Sequence, residues 1–198
     1  MKDPLLRALK ARLRASRKRR PMRRAVLSLG LVSLAYALTS FVLALAGAVP
    51  LAPVVGGIDA DNYYFYQILF ILPLVLAVWA LSSGALLALG ARGCRRSDVL
   101  VKASRAWGRP LLLAWAPSAV EALFAALGMG QREWVDILSE PGLWQTLYLG
   151  AYAAAAAWAA WGFVAAARSV HNKSWAAAAP TGLAAAAAAV GSFALFVR

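Results

Sequence analysis

The chain has 198 residues, of which 62% are hydrophobic and only 15% are charged, and its mean hydropathy is +0.65. Soluble globular proteins carry about 25% charged residues. The formal net charge of +13 would suit a nucleic-acid-binding protein, but such a protein could not bury this much apolar surface. One cysteine, Cys94, excludes an internal disulfide, and one histidine, His171, excludes the usual zinc and bis-histidine haem sites. Composition therefore predicts a polytopic membrane protein.

Five long stretches of the sequence contain at most one charged residue each. A helix needs about 20 apolar residues to cross the hydrocarbon core of a membrane, and each stretch is long enough. We therefore expect an all-α bundle of five transmembrane helices at residues 25–198, preceded by a basic amphipathic arm at 1–24. The expected spans lie near residues 26–48, 64–89, 110–129, 144–167 and 175–197.

Basic residues are distributed unequally between the segments that connect these spans. The segments on the N-terminal side of the membrane hold 19 of the 21 Lys and Arg residues, and the opposite side holds only Arg132 and Arg198. Basic residues accumulate on the cytoplasmic side of membrane proteins. We therefore expect a cytoplasmic N-terminus and an external C-terminus. The richness in alanine and arginine is typical of a high-GC bacterium, so we expect a location in a bacterial inner membrane.

The first span also resembles a targeting signal. Arg23 and Arg24 precede the apolar run as a twin-arginine pair would, and residues 44–46 resemble a cleavage site. The apolar run is longer than the 7–15 residues typical of a signal core. A membrane anchor is therefore the favoured interpretation.

The basic arm combines leucines at helical spacing with cationic residues on the other faces of the same helix. Asp3 and Pro4 form a suitable helix start. This pattern predicts an amphipathic helix that lies on anionic lipid, or an arm that only sets the orientation during insertion. A nucleic-acid partner is not expected because the arm has no aromatic residue for base stacking. The residues expected to contact lipid headgroups are Arg7, Lys10, Arg12, Arg14 and Arg17.

Small residues recur at every fourth position in the last two spans, which are rich in alanine. Small side chains let two membrane helices approach closely. They predict contact within this bundle, with another membrane protein or with a second copy of the chain. The residues concerned are Gly150, Ala154 and Gly162 in the fourth span and Ala178, Gly182 and Ala186 in the fifth.

Glu121 is the one charged residue within the expected third span. It follows the cytoplasmic end of that span by about twelve residues, or about 18 Å, which is near the middle of the membrane. An ionised carboxylate is costly there and needs a partner, so we expect Glu121 to be protonated or hydrogen-bonded. Tyr152, Thr39 and Ser40 are expected at the same level. This polar cluster is either a proton or cation relay or a polar clasp between helices.

The sequence lacks the residue patterns of common catalytic sites. It contains no nucleotide-binding glycine motif and no paired nucleophile and base. The acidic residues of the external loops match no calcium-loop spacing, and His171 is expected to be solvated in a short turn. We therefore expect no enzymatic activity, no cofactor and no metal site.

Three segments resemble the Yip-domain family of small five-span membrane proteins. They are residues 64–73 (YFYQILFILP), residues 107–117 from a tryptophan to LLLAWAP, and residues 170–176 (VHNKSWA) before the last span. The resemblance implies the same five-span topology. Eukaryotic relatives act in vesicle trafficking through small GTPases, whereas bacterial relatives mostly lack an assigned activity. The arm of this chain is shorter than the N-terminal region of the trafficking proteins, so a GTPase partner is not expected.

These features predict a non-enzymatic membrane scaffold or accessory subunit that acts through helix–helix and lipid contacts. The alternative is a small transporter or permease component that uses Glu121 as an intramembrane proton or cation site. The two predictions differ in the interior of the bundle. A continuous polar path that reaches Glu121 favours transport, whereas a dry, close-packed core favours a scaffold.

Overall fold

The computed structural model describes the backbone of residues 4–50, 59–90 and 94–196, and the side chains of these residues apart from 4–20 and Gln131. Within these ranges the chain is helical and contains no β-strand, which confirms the all-α prediction. A short 3₁₀-helix at Ala60–Asn62 precedes α2. The helices are α1 (Pro4–Leu45), α2 (Tyr63–Ala88), α3 (Arg96–Ala126), α4 (Gln131–Ser139), α5 (Leu143–His171) and α6 (Trp175–Phe196).

Four of the described helical segments are long and apolar enough to cross a membrane. They correspond to the first, second, fourth and fifth predicted spans, so the sequence correctly indicated a multi-pass membrane protein. The third predicted span lies within α3, which has 31 residues and carries several basic residues in its first half. The four apolar segments are Pro21–Leu45, Ala60–Ala88, Leu143–His171 and Trp175–Phe196.

The backbone of the basic arm is helical from Pro4 and continues without interruption into the first apolar segment. Pro21 lies inside this helix. The predicted lipid contacts fall outside the described side chains, so they stay predictions. These residues are Arg7, Lys10, Arg12, Arg14 and Arg17.

The five long helices pack as a ring in the order α1, α2, α6, α5 and α3, and α3 closes the ring against α1. The short helix α4 packs against α5. Phe193 of α6 lies near the centre of the ring. Its phenyl ring makes edge contacts with Tyr36 of α1 and Trp107 of α3, at centroid distances of 5.7 and 5.2 Å. These aromatic contacts connect three helices that are not consecutive in the sequence.

Glycines provide the closest approaches of α5 to its neighbours. A Cβ atom at Gly162 would lie 3.1 Å from the Cα atom of Ala106 in α3. A Cβ atom at Gly182 of α6 would overlap the backbone of Val164 in α5. Any larger residue at position 182 would therefore push α6 away from α5. Ala178 and Ala186 are buried beside it, in agreement with the predicted packing of α6.

Gly150 and Ala154 do not pack within the bundle. Both residues are exposed, and no atom lies within 4 Å of the position that a Cβ atom at Gly150 would take. In a helix with 3.6 residues per turn, four residues rotate the side chain by about 40° beyond a full turn. Three such steps from Gly150 rotate the stripe by about 120°, so only Gly162 reaches the interior. The prediction that Gly150 and Ala154 contact another helix of this bundle is therefore wrong.

The end of α2 is capped by side chains from α5 and α6. His171 Nε2 donates a hydrogen bond to the carbonyl of Leu86 at 3.0 Å, and Thr181 Oγ1 donates to the carbonyl of Leu89 at 3.2 Å. A Cβ atom at Gly90 would overlap the His171 ring. His171 is therefore half-buried and satisfies a helix-end carbonyl, which corrects the expectation of a solvated side chain.

We predict that Gly182→Ala destabilises the protein by about 1–3 kcal/mol, because the added methyl group has no space beside Val164. Thermal or denaturant unfolding in mild detergent, followed by circular dichroism, measures the change. Gly191→Ala on the same helix is the matched control, since Gly191 is exposed and has no neighbour at the Cβ position. Equal stabilities of the two variants would contradict close packing at Gly182.

Candidate binding site at Glu121

Glu121 is buried, with 7% of its surface exposed, and its hydrogen-bond partner comes from α2. The hydroxyl group of Tyr64 donates to Glu121 Oε1 at 3.4 Å. The sequence had predicted Tyr152, Thr39 or Ser40 for this role, and this expectation is corrected. Tyr64 lies in the first turn of α2, which packs directly against α3.

Glu121 lies close to one end of the bundle, which we call the Glu121 end. α3 ends at Ala126, five residues or about 7.5 Å further along the helix axis. Gly128 has a φ of +87°, and the N–H of Met129 bonds to the carbonyl of Phe124 at 3.0 Å. This Schellman motif stops the helix before residue 129, the predicted end of the span. The carboxyl group is therefore nearer the helix ends than the predicted mid-membrane position.

A partly open cavity of about 240 Å³ reaches the carboxyl group from the Glu121 end. Among the described residues that line it, only Glu121 carries a charge. α1 ends beside this cavity in a second Schellman motif, with Gly47 at a φ of +66°. Two helix C-termini and a carboxyl group therefore meet at the cavity. Its walls include Leu43 of α1, Ala48 after α1, Ala125 of α3, Met129, and Trp134 of α4.

α4 places the Trp134 indole against the cavity. Trp134 is 4% exposed, and its Nε1 atom has no hydrogen-bond partner among the described residues. Its ring packs against Phe124 and Trp144 at centroid distances of 5.3 and 6.4 Å. At the start of α4, the Glu133 carboxylate accepts a hydrogen bond from the Gly130 N–H at 3.3 Å. The cavity thus has a carboxyl group in one wall and an aromatic side chain in another.

Ser40 belongs to a separate hydrogen-bonded network between α1, α2 and α6. Its hydroxyl donates to Gln67 Oε1 at 2.7 Å. Gln67 Nε2 donates to the Tyr63 hydroxyl at 3.3 Å, and Tyr63 donates to the carbonyl of Phe196 at 2.6 Å. This network connects three helices close to the Glu121 end, but Glu121 is not a member of it.

Thr39 and Tyr152 have different partners again. Thr39 Oγ1 accepts a hydrogen bond from Trp115 Nε1 at 2.8 Å, which connects α1 to α3. The Tyr152 hydroxyl interacts with the side chains of Ser118 and Tyr148, and the two tyrosine rings lie 5.2 Å apart. Each of the four residues of the predicted cluster therefore belongs to a different hydrogen-bonded group.

The polar networks do not continue to the opposite end of the bundle, which we call the His171 end. Beyond Gln67, α2 presents Ile71, Val75 and Val78 to the core, and each is at most 2% exposed. Buried serines in this half, such as Ser33 and Ser104, donate hydrogen bonds to carbonyls of their own helices. A layer of buried apolar side chains therefore separates Glu121 from the His171 end. A mainly apolar cavity of about 310 Å³ also lies between α3, α5 and α6, where Trp107, Tyr152 and Phe193 border it.

The described residues contain no group of three or more His, Cys, Asp or Glu side chains that could hold a metal ion. The acidic residues of this end are mostly exposed, as Asp59, Asp61 and Glu140 illustrate. The arrangement provides a single carboxyl group in an apolar cavity. Such a site can bind a cationic group or exchange a proton, but it does not resemble a metal centre.

Comparisons with known protein families, with curated proteins and with solved structures find no match to this chain. Sequence reasoning did not select Tyr64, Gln67 or Trp134 as site residues. Gln67 could have been found as an amide within an apolar run. The roles of Tyr64 and Trp134 could not, since tyrosine and tryptophan near span ends are typical membrane anchors.

We predict a measurable coupling between Ser40 and Gln67, whose side chains bond across two helices. Hydrogen bonds of this kind contribute about 0.6 kcal/mol on average and up to about 1.7 kcal/mol. A double-mutant cycle with Ser40→Ala and Gln67→Leu, measured by reversible unfolding in mixed micelles, gives the coupling energy. Ser28→Ala is the control, because Ser28 bonds only within its own helix. Purely additive effects of the two substitutions would refute the cross-helix bond.

Proposed function

We propose that this protein is a non-enzymatic scaffold or accessory subunit of a bacterial inner membrane. The observation that carries the proposal is the distribution of its apolar surface. In the interior, buried apolar side chains interrupt the polar path between the two ends of the bundle. On the outside, large apolar side chains form a surface that is suited to contact with lipid and with other membrane helices.

The outer faces of α1 and α5 are the strongest candidates for contact with partners. Leu31 and Leu45 of α1 and Trp161 of α5 are 66%, 73% and 63% exposed. Gly150 and Ala154 form a smooth strip on the outer face of α5. A second helix can approach such a strip closely. The partner is therefore another membrane protein or a second copy of this chain.

We also propose five spans, with the N-terminus in the cytoplasm and the C-terminus outside. α3 runs alongside α2 over most of its length, which supports a crossing by α3. At one end of α3 the Trp79 N–H donates to the carbonyl of Leu100 at 3.0 Å, and near the other Tyr64 bonds to Glu121. Anionic lipid at the basic cytoplasmic face would bind the N-terminal arm.

This topology predicts opposite outcomes for reporters at the two termini. Alkaline phosphatase fused after Arg198 should be active in a bacterial host, because the enzyme folds only outside the cytoplasm. Green fluorescent protein fused before Met1 should be fluorescent, since it matures in the cytoplasm. An inactive phosphatase fusion, with the protein present in the membrane fraction, would indicate an even number of spans and contradict the proposal.

The resemblance to the Yip-domain family is part of this proposal. Its implied function, the organisation of membranes or partner proteins without catalysis, agrees with a scaffold. The second candidate function is a permease component, and the cavity that reaches Glu121 favours it. The apolar layer formed by Ile71, Val75 and Val78 favours the scaffold, which we therefore place first.

A test of the scaffold function uses the outer strip of α5. We expect Gly150→Leu combined with Ala154→Leu to abolish the capture of partners, because two bulky side chains would block close helix contact. Pull-down from mild detergent with quantitative mass spectrometry measures the loss. Both positions are exposed, and a Cβ atom at Gly150 would have no neighbour within 4 Å. The stability of the chain should therefore be unchanged.

The matched control is Ala187→Leu combined with Gly191→Leu on α6. These positions have the same four-residue spacing and are also exposed. The control variant should capture the same partners as the wild type. Equal loss in both variants, or capture that neither variant changes, would refute the α5 strip as the interface.

A further inference from the structure

We propose that the cavity at Glu121 binds a small organic ammonium group, such as that of ethanolamine. This inference goes beyond the scaffold function and does not depend on it. It concerns binding at one end of the bundle, not passage across the membrane. Three properties of the cavity carry the inference: its single carboxyl group, the two helix C-termini that border it and the aromatic ring of Trp134.

The carboxyl group of the cavity favours a cationic ligand. Glu121 Oε1 accepts one hydrogen bond, from Tyr64, and Oε2 has no partner among the described residues. None of the described residues that line the cavity is basic. The C-terminal ends of α1 and α3 border the same space, and each adds a partial negative charge. A buried carboxylate in a membrane protein is normally paired, so the cavity is suited to a positively charged ligand.

The walls select an organic cation over a metal ion. Ca²⁺ takes six to eight oxygen ligands, and Mg²⁺ requires six in near-octahedral geometry. Here one carboxyl group faces side chains such as Leu43, Ala48 and Ala125. Glu121 is the only acidic side chain among the described residues that line the cavity, and the described residues form no group of three or more metal-ligating side chains. The apolar side chains can contact the methylene groups of an alkylammonium ion. The volume of about 240 Å³ is below the range of about 300–1,000 Å³ for drug-sized ligands, so the ligand has few heavy atoms.

Trp134 supplies an aromatic wall of the cavity. Its ring can attract an ammonium group through a cation–π interaction. The Nε1 atom is enclosed and has no partner among the described residues, so it is not part of the proposed site. Ethanolamine is a small compound that supplies an ammonium group, either as the free amino alcohol or within the headgroup of an aminophospholipid.

The test uses the full chain labelled with 5-fluorotryptophan in nanodiscs of phosphatidylglycerol, which contains no ammonium group. The ¹⁹F resonance that is missing from Trp134→Phe identifies Trp134. Titration with ethanolamine should shift this resonance saturably. Glu121→Gln should weaken the apparent affinity by about tenfold or more, the equivalent of losing one charge-assisted hydrogen bond. Gln keeps the shape of the side chain and can still accept the Tyr64 hydrogen bond.

Two further variants separate binding from folding and from general charge effects. Glu140→Gln removes one negative charge from an exposed position at the same end, and it should bind ethanolamine like the wild type. Ala48→Leu retains the carboxyl group but fills the cavity, so it should also lose binding. A shift that persists in both Glu121→Gln and Ala48→Leu would overturn the proposal, as would loss of binding in Glu140→Gln.

The source of the ammonium group is distinguished by lipid composition. If the headgroup is the ligand, nanodiscs that contain phosphatidylethanolamine should show the shifted Trp134 resonance before any ethanolamine is added. If the free amine is the ligand, only added ethanolamine should shift it. Either result supports the site. Absence of a shift under both conditions, or a shift produced by Mg²⁺ or Ca²⁺ alone, would refute it.

Discussion

The close packing of α5 against α3 and α6 is the constraint on which the rest of the structure depends. Alanine-rich helices have little side chain with which to interlock, so they gain contact only when their backbones approach closely. Gly162 permits this approach to α3, and Gly182 permits it to α6. With three helices held at short distance, Phe193 of α6 contacts Tyr36 and Trp107 across the ring.

The same packing makes the two ends of the bundle different. At the His171 end, side chains from α5 and α6 cap α2, and the adjoining core is apolar and closed. At the Glu121 end, α1 and α3 each stop at a glycine with positive φ, and the space between their ends stays open. The Glu121 carboxyl group lies there beside the cavity and accepts a hydrogen bond from Tyr64. The apolar half is the observation on which the proposed scaffold function rests, and the open half contains the cavity of the proposed ligand site.

Much of the fold could be predicted from hydropathy alone. Four of the five expected spans coincide with apolar helices, since every backbone polar group in a membrane must be paired within its own helix. Details that depend on helix register were less predictable. The four-residue spacing from Gly150 to Gly162 predicts one contact face. In the structure this stripe rotates around α5, so only Gly162 packs against another helix of the bundle. The predicted third span extends to residue 129, three residues beyond the end of α3, because a Schellman motif at Gly128 has no hydropathy signal.

The sequence by itself determined that the chain is helical and apolar, and that Glu121 is an isolated carboxyl group in need of a partner. Only the tertiary structure decided that this partner is Tyr64 and that Trp134 lies across the same cavity. It also placed Thr39, Ser40 and Tyr152 in other networks. Hydropathy indicates the length of a helix and whether its environment is apolar, but not its neighbours. Hydrogen bonds between helices depend on their relative rotation and height, which are set by the packing of small residues far from the site.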